Sequence, residues 1–199
     1  MTLVTPQPCK MKFFSFPEFI SMQETVLIQS ILDGHTAGFN VLVKKYEASV
    51  FRIVMGYVHQ KEDAEDITQE VFVKVYQSLS SFQGRSSFST WLFRIAVHVS
   101  LNALQKRKRR TLWSMTAALL QLPSGNKSPE QELSEKAEKS QLRHAIDALP
   151  EKQRMAFILS RYEELPQREV ALIMDVSEGA VEQLLLRAKE NLKKKLHHP

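Results

Sequence analysis

PQREVALIMDVSEGAVEQLLLRAKENL, running from Pro166 to Leu192, is the stretch from which the fold is read. Val170, Ala171 and Met174 lie at helical spacing and form the inner face of one short helix; Val181, Leu184 and Leu185 do the same for a second. Asp175 falls at the turn between them, where the chain favours a residue that tolerates a left-handed backbone, usually Gly, with Asp an acceptable second choice. Val176 points back inside, and Ser177 is placed as the N-cap of the second helix. Ala171 is small, as a close helix crossing requires. The pattern is a helix-turn-helix. Its second helix would present Ser177, Glu178, Gly179, Glu182 and Gln183 to a major groove, with Arg187 and Lys189, then Lys193, Lys194 and Lys195, placed for phosphates. The alternative is a plain helical hairpin with a solvated basic end. Glu182 works against the DNA reading, since a carboxylate facing the groove opposes phosphate.

Upstream, glycine is scarce and amphipathic runs dominate, so the chain reads as all-α. A first helix is expected over about Glu24 to Leu32, and a second over about Thr36 to Val58, with Phe39, Leu42, Val43, Tyr46, Val50, Ile53 and Val54 inside. Asp63 is placed to cap a third, running to about Leu79, in which Ile67, Val71, Val75 and Leu79 recur every fourth residue. Ser80 to Ser89, with Gly84 in the middle, is a polar loop, and a fourth helix runs from Phe88 or Thr90 to about Lys108. Leu112 to Leu122 is apolar and gives way to Pro123-Ser124-Gly125-Asn126-Lys127-Ser128-Pro129, which has linker composition. The expected layout is two small helical domains joined by a flexible linker. Residues 1–23 form a loosely ordered extension, 24–110 the first domain, 111–135 the linker and 136–196 the second domain. Met11 or Met22 are alternative starts.

The third helix carries Glu62, Asp63, Glu65, Asp66 and Glu70, with Gln69, against only Lys61 and Lys74. Acids near a helix start answer the dipole, which explains some of them without any function. An acidic face with Phe72 beside it also suits docking on a basic protein partner. The fourth helix is the electrostatic opposite: Phe88, Trp91 and Phe93 open it around Arg94, and Lys106-Arg107-Lys108-Arg109-Arg110 closes it. Aromatic faces to stack bases and cations to hold phosphates are what single-stranded nucleic acid requires. The competing reading puts Trp91, Ile95 and Phe88 in the core and leaves the basic run as a solvated tail.

Bulk composition narrows the classes. The 199 residues hold 27 basic and 22 acidic side chains, a net charge of +5, which leans only modestly towards a polyanionic partner. Cys9 is the only cysteine, so neither an internal disulfide nor a cysteine-based zinc cluster is available, and a reducing, cytoplasmic setting fits best. No apolar run approaches the roughly 18 residues of a membrane span. No phosphate-binding glycine loop, cysteine nucleophile with a matched base or HExxH pair is present, so no enzyme activity, metal or cofactor is expected.

Three motifs in order resemble the sigma factors of bacterial RNA polymerase, in their compact two-domain extracytoplasmic-function (ECF) form. Asp63-Ala64-Glu65-Asp66-Ile67-Thr68-Gln69-Glu70-Val71-Phe72 is similar to the family's polymerase-docking helix, and Phe88-Ser89-Thr90-Trp91-Leu92-Phe93-Arg94-Ile95-Ala96 to its promoter-melting helix. Ala148-Leu149-Pro150-Glu151-Lys152-Gln153-Arg154 resembles the opening of its second domain, which the helix-turn-helix closes. The likeness covers roughly Glu24 to Leu196. It implies that Asp63, Glu65, Asp66, Gln69, Glu70 and Phe72 dock on core polymerase. It further implies that Phe88, Trp91, Arg94, His98, Asn102, Arg107 and Arg109 open and read the minus-ten element as a single strand. Ser177, Glu178, Gly179, Glu182, Gln183, Arg187 and Lys189 would read the minus-thirty-five element in duplex form. An anti-sigma factor is a further implied partner. Three departures bear on base preference and phosphate contact: His98 stands where the family commonly has Asn, Asn102 where Asp is frequent, and Glu182-Gln183-Leu184 where a more basic stretch is usual. The rival readings are a stand-alone helix-turn-helix regulator, which leaves the first domain unassigned, and a protein-interaction adaptor.

Overall fold

The computed structural model describes the backbone of residues 16–118 and 133–197, and side chains over 24–107, 109 and 140–196. Among these residues every regular element is helical. Helix α1 (Phe16–Leu32) begins eight residues before the expected Glu24 start. Pro17 explains why it can, because proline in a first helical turn loses no hydrogen bond that the helix would have made. The remainder of the expected extension, residues 1–15, lies outside the described residues.

A single 3-10 turn (Thr36–Gly38) leads into α2 (Phe39–Val58), which His59 closes in the left-handed conformation (φ 61°), its N–H on the Met55 carbonyl. Gln60, extended, then starts α3 (Lys61–Ser78). Asp63 is therefore not the cap but part of the first turn, and its carboxylate accepts a hydrogen bond from Arg107 at 2.9 Å. After a 3-10 turn (Leu79–Ser81), the polar loop carries Gly84 at φ 66°, a conformation L-residues avoid. Ser87 ends the loop as a cap: its Oγ accepts from the Thr90 N–H at 3.1 Å and starts α4 (Phe88–Ala118). Helix α4 runs ten residues past the expected Lys108, through part of the expected linker, because neither Gly nor Pro interrupts it before Pro123. The rest of that linker, 119–132, lies outside the described residues.

Four helices complete the chain: α5 (Leu133–Asp147), α6 (Glu151–Arg161), α7 (Gln167–Met174) and α8 (Glu178–His197). Pro150 and Pro166 stand at the N-caps of α6 and α7. Ala145, Ile146, Leu149, Ala188 and Leu192 form a small core of their own with Phe157 against it.

The main core spans both expected blocks. Residues from α1 to α4 and residues from α6 to α8, Ile28 at one end and Val181 at the other, belong to one continuous apolar cluster. Helix α4 explains how. Its buried set (Phe88, Leu92, Phe93, Ala96, Val97, Val99) covers a wider arc than one packed face needs, and α4 packs on α2, α3 and also α7. The two blocks are thus joined by a packed interface as well as by the tether.

Candidate nucleic-acid interface

The helix-turn-helix is built by local chemistry. Asp175 occupies the left-handed region (φ 56°, ψ 50°) and closes α7 with its N–H on the Ala171 carbonyl. The Val176 N–H bonds the same carbonyl, turning the chain back so that Val176 packs on the core. Ser177 Oγ accepts from the Ala180 N–H at 3.2 Å, the N-cap expected of it. Val170, Ala171, Ile173 and Val181 are buried, with Met174, Leu184 and Leu185 packed against them. Ile173 is the inner-face residue that periodicity alone missed. Replacing Asp175 by Val should lower stability by about 1–2 kcal/mol, because a β-branched side chain fits the left-handed conformation poorly. Asp175→Gly should be neutral or stabilising; equal melting temperatures for both variants would contradict this account.

Ser177, Glu178, Gly179, Glu182, Gln183, Arg187 and Lys189 are all exposed on α8 and its cap, so the whole set is available to a groove. The Asn191 side-chain amide donates to the Gln153 carbonyl oxygen at 2.8 Å and ties the far part of α8 to α6.

At the start of α4 the aromatic residues divide. Phe88 is buried, 3% exposed, with Tyr46, Phe82 and Trp91 around it at centroid distances of 5.6, 5.7 and 5.8 Å. It is therefore core, a correction to its expected role on DNA. Trp91 is half-buried, in tilted contact with Phe82 (5.3 Å) and Phe88. A partly exposed ring fixed by aromatic neighbours is suited to base stacking. His98, Asn102, Arg107 and Arg109 are exposed further along the helix. Arg94, four residues before His98, is spent differently: its guanidinium donates to the carbonyls of Leu172 and, at 3.2 Å, Ile173.

On α3, Glu65, Asp66, Gln69 and Glu70 are exposed and Asp63 is half-exposed. Phe72 is 7% exposed and meets Phe39 edge-on at 6.5 Å, so it belongs chiefly to the core, again a correction. Its position on α3 puts it one turn from Thr68 and Val75, on the helix's inner face. The exposed apolar side chains there are instead Val73 and Tyr76, at the rim of a groove whose floor includes Phe39 and Val43. A separate cleft of about 570 Å³ brings the acids Asp63, Asp66 and Glu70 opposite Asn102, Lys106 and Arg107, so the two oppositely charged helices share one edge.

Arg154, which enters the sequence motif only as its last residue, is 6% exposed. Its guanidinium donates to the Tyr57 carbonyl (2.7 Å) and to Asp147 (2.6 Å), and lies 5.1 Å from the Tyr57 ring centre. The available signal was an arginine four residues before Ile158 on the inner side of an amphipathic helix. Burial raises the Tyr57 pKa, with the Arg154 charge opposing. Among the described residues no group of His, Cys, Asp or Glu is arranged to hold a metal ion, and no helix is long and apolar enough to cross a membrane.

Fold and surface together define a helical protein of the helix-turn-helix class with a second, aromatic-basic surface. Residues 42–110 match the family model of sigma-70 region 2, and residues 139–192 that of sigma-70 region 4. The chain is 32% identical over 181 residues to the RNA polymerase sigma-H factor of Pseudomonas aeruginosa, covering 87% of this chain and 94% of that protein. It is 34% identical over 182 residues to the ECF RNA polymerase sigma-E factor of Escherichia coli, covering 88% and 95%. Its fold is shared with CnrH, solved in complex with the cytosolic domain of CnrY, at a TM-score of 0.61 and 20% identity over 86% of this chain and 95% of that one. The chain belongs to the sigma-70 family of RNA polymerase sigma factors, in its ECF group.

Proposed function

We propose that this chain binds core RNA polymerase and directs initiation at promoters whose minus-ten element it melts and whose minus-thirty-five element it reads. The observation that carries the reading is the pairing on one chain of an exposed second helix of a helix-turn-helix with a half-buried tryptophan in contact with two phenylalanines. Helix α3 offers the acids Glu65, Asp66 and Glu70, with Gln69, for docking on the polymerase. Trp91 stacks a base of the non-template strand, His98 and Asn102 face the same strand, and Arg107 and Arg109 hold phosphates. Unstacking costs a few kcal/mol, which stacking on Trp91 and hydrogen bonds can offset. The N-terminal turns of α8 enter the major groove of the upstream element. The protein has no catalytic step of its own in this reading and works in the cytoplasm with the template. A protein anti-sigma factor that covers the DNA faces is a fitting partner, in keeping with the sigma factor RpoE of Bartonella quintana, solved in complex with the anti-sigma factor NepR.

Run-off transcription with purified bacterial core polymerase on fragmented source DNA tests the proposal. Discrete transcripts that require this chain are expected, and their mapped starts identify both elements. No transcripts and no core binding would overturn it in favour of a stand-alone helix-turn-helix regulator.

A further inference from the structure

The aromatic contacts around Trp91 continue to a carboxylate on another helix. Phe88 meets Trp91 at 5.8 Å and also meets Tyr46 of α2, at 5.6 Å. Tyr46 stands edge-on to Phe93 as well, at 6.3 Å. The Tyr46 hydroxyl donates to the Glu24 carboxylate of α1. The Lys45 ammonium pairs with the same carboxylate oxygen and lies 5.2 Å from the centre of the Tyr46 ring. The Glu24 side chain is only 12% exposed, so water competes little for it. Burial, with the Glu24 carboxylate beside it, raises the Tyr46 pKa, so the phenol remains a donor at neutral pH. Helix α1 is seated to supply this acceptor. Glu24, Leu27, Ile28 and Ile31 recur at helical spacing, and Ile28 and Ile31 are buried. Gly38 makes room for them: a Cβ there would stand 2.9 Å from Leu27 Cδ1 and 3.2 Å from Ile31 Cγ1.

Apolar packing does not require that hydroxyl, since a phenylalanine ring would fill the same space. What the bond adds is direction, because a ring tied at its far end keeps one place against its neighbours. Resting on the function proposed above, we infer that Tyr46 is a positioning residue for promoter opening. Its hydroxyl, tied to Glu24, fixes the ring against Phe88, and Phe88 in turn fixes the indole of Trp91. Capture of a base costs less on a platform that is already ordered, because a mobile side chain surrenders rotamer freedom on binding. Lys45 balances the Glu24 charge and leaves the tether electrically neutral. A side chain of α2 with no place on the strand then sets how readily the duplex opens.

The test uses the full chain. Tyr46→Phe keeps the ring and removes the tether, and Glu24→Ala removes it from the other end. Trp113→Phe leaves Trp91 as the only tryptophan, so acrylamide quenching of the remaining fluorescence reports how firmly that indole is held. In this background both variants should quench more readily than the parent, with helical circular dichroism preserved. With core polymerase, at a promoter mapped by run-off, each should lower open-complex formation roughly three- to tenfold and leave core binding unchanged. The double variant should lose no more than either single one, because all three remove the same bond. Glu24→Gln, which keeps an acceptor oxygen, should recover most of the loss. Unchanged quenching in Tyr46→Phe overturns the positioning role, and so do additive losses in the double variant. Altered quenching with normal opening overturns the link to melting, and equal loss of opening and core binding assigns the tether to the fold alone. Quenching is read on the free chain, so failure of the sigma assignment is seen separately.

Discussion

Trp91→Ala is expected to reduce open-complex formation on a duplex promoter by roughly 5- to 150-fold, the equivalent of about 1–3 kcal/mol of base stacking. Core polymerase binding should be unchanged, since the acids proposed to dock on polymerase lie on α3. The indole is half-buried, and Phe82 and Phe88 meet it in tilted contacts at 5.3 and 5.8 Å. Its removal therefore loosens only the edge of the aromatic cluster while taking away the ring proposed to stack on a base. A template with the minus-ten region already unpaired should recover most of the loss, because strand opening no longer has to be driven by stacking. Permanganate footprinting of unpaired thymines, alongside a core-binding assay, checks both halves. An equal loss of melting and core binding would assign Trp91 to the fold and not to the strand.

Arg154→Ala carries the second large expected effect, a loss of stability of about 2–4 kcal/mol in urea unfolding. The guanidinium is buried, so truncation leaves a void and strips the Tyr57 carbonyl of its donor. Asp147 loses less, because its side chain is 42% exposed and water replaces the partner. Arg154→Met, which keeps most of the stem's packing, should cost clearly less than Ala. A loss near zero for Ala would mean that the pairing adds nothing beyond what water supplies. The same contacts predict an acid dependence. Burial alone would raise the Asp147 pKa, but the His59 hydrogen bond and the charges of Arg154, His59 and His144 outweigh it, and the value lies below the usual carboxylate range. A depressed carboxylate stabilises the fold above its unfolded pKa, near 4, and that contribution is lost as pH falls through the folded value. Asp147→Asn should therefore be less stable than wild type at neutral pH, with the difference shrinking below about pH 4.

Much of the helix-turn-helix was legible because its determinants are neighbours in the chain. Asp175 can take the left-handed turn, Ser177 can cap the second helix, and the apolar spacing on either side orients both helices. The boundaries of α1 and α4 were less so. Residues 16–23 read as part of a loose extension and the 106–110 basic run as an end, yet both lie within continuous helices. Phe72 and Phe88 illustrate the limit for the site. An aromatic residue on an amphipathic helix has the same local signature whether it stacks on a ligand or fills a core, and only its neighbours Phe39, Tyr46 and Phe82 decide.

Helical class, the order of the motifs and the chemistry of α3, α4 and α8 arise from side chains within one or two turns of each other, so the sequence by itself determined them. The closing of one block on the other cannot be read from any window of sequence. Arg52 meets Glu163 across 111 positions, Arg154 meets the Tyr57 carbonyl across 97, and Arg94 reaches Ile173 across 79. A glycine at 56 reads as a weak point in a helix until Ile158 is seen to occupy the space its missing side chain leaves. Such contacts depend on how already formed helices fit as solid bodies, and shape complementarity between distant surfaces leaves no periodicity in the chain.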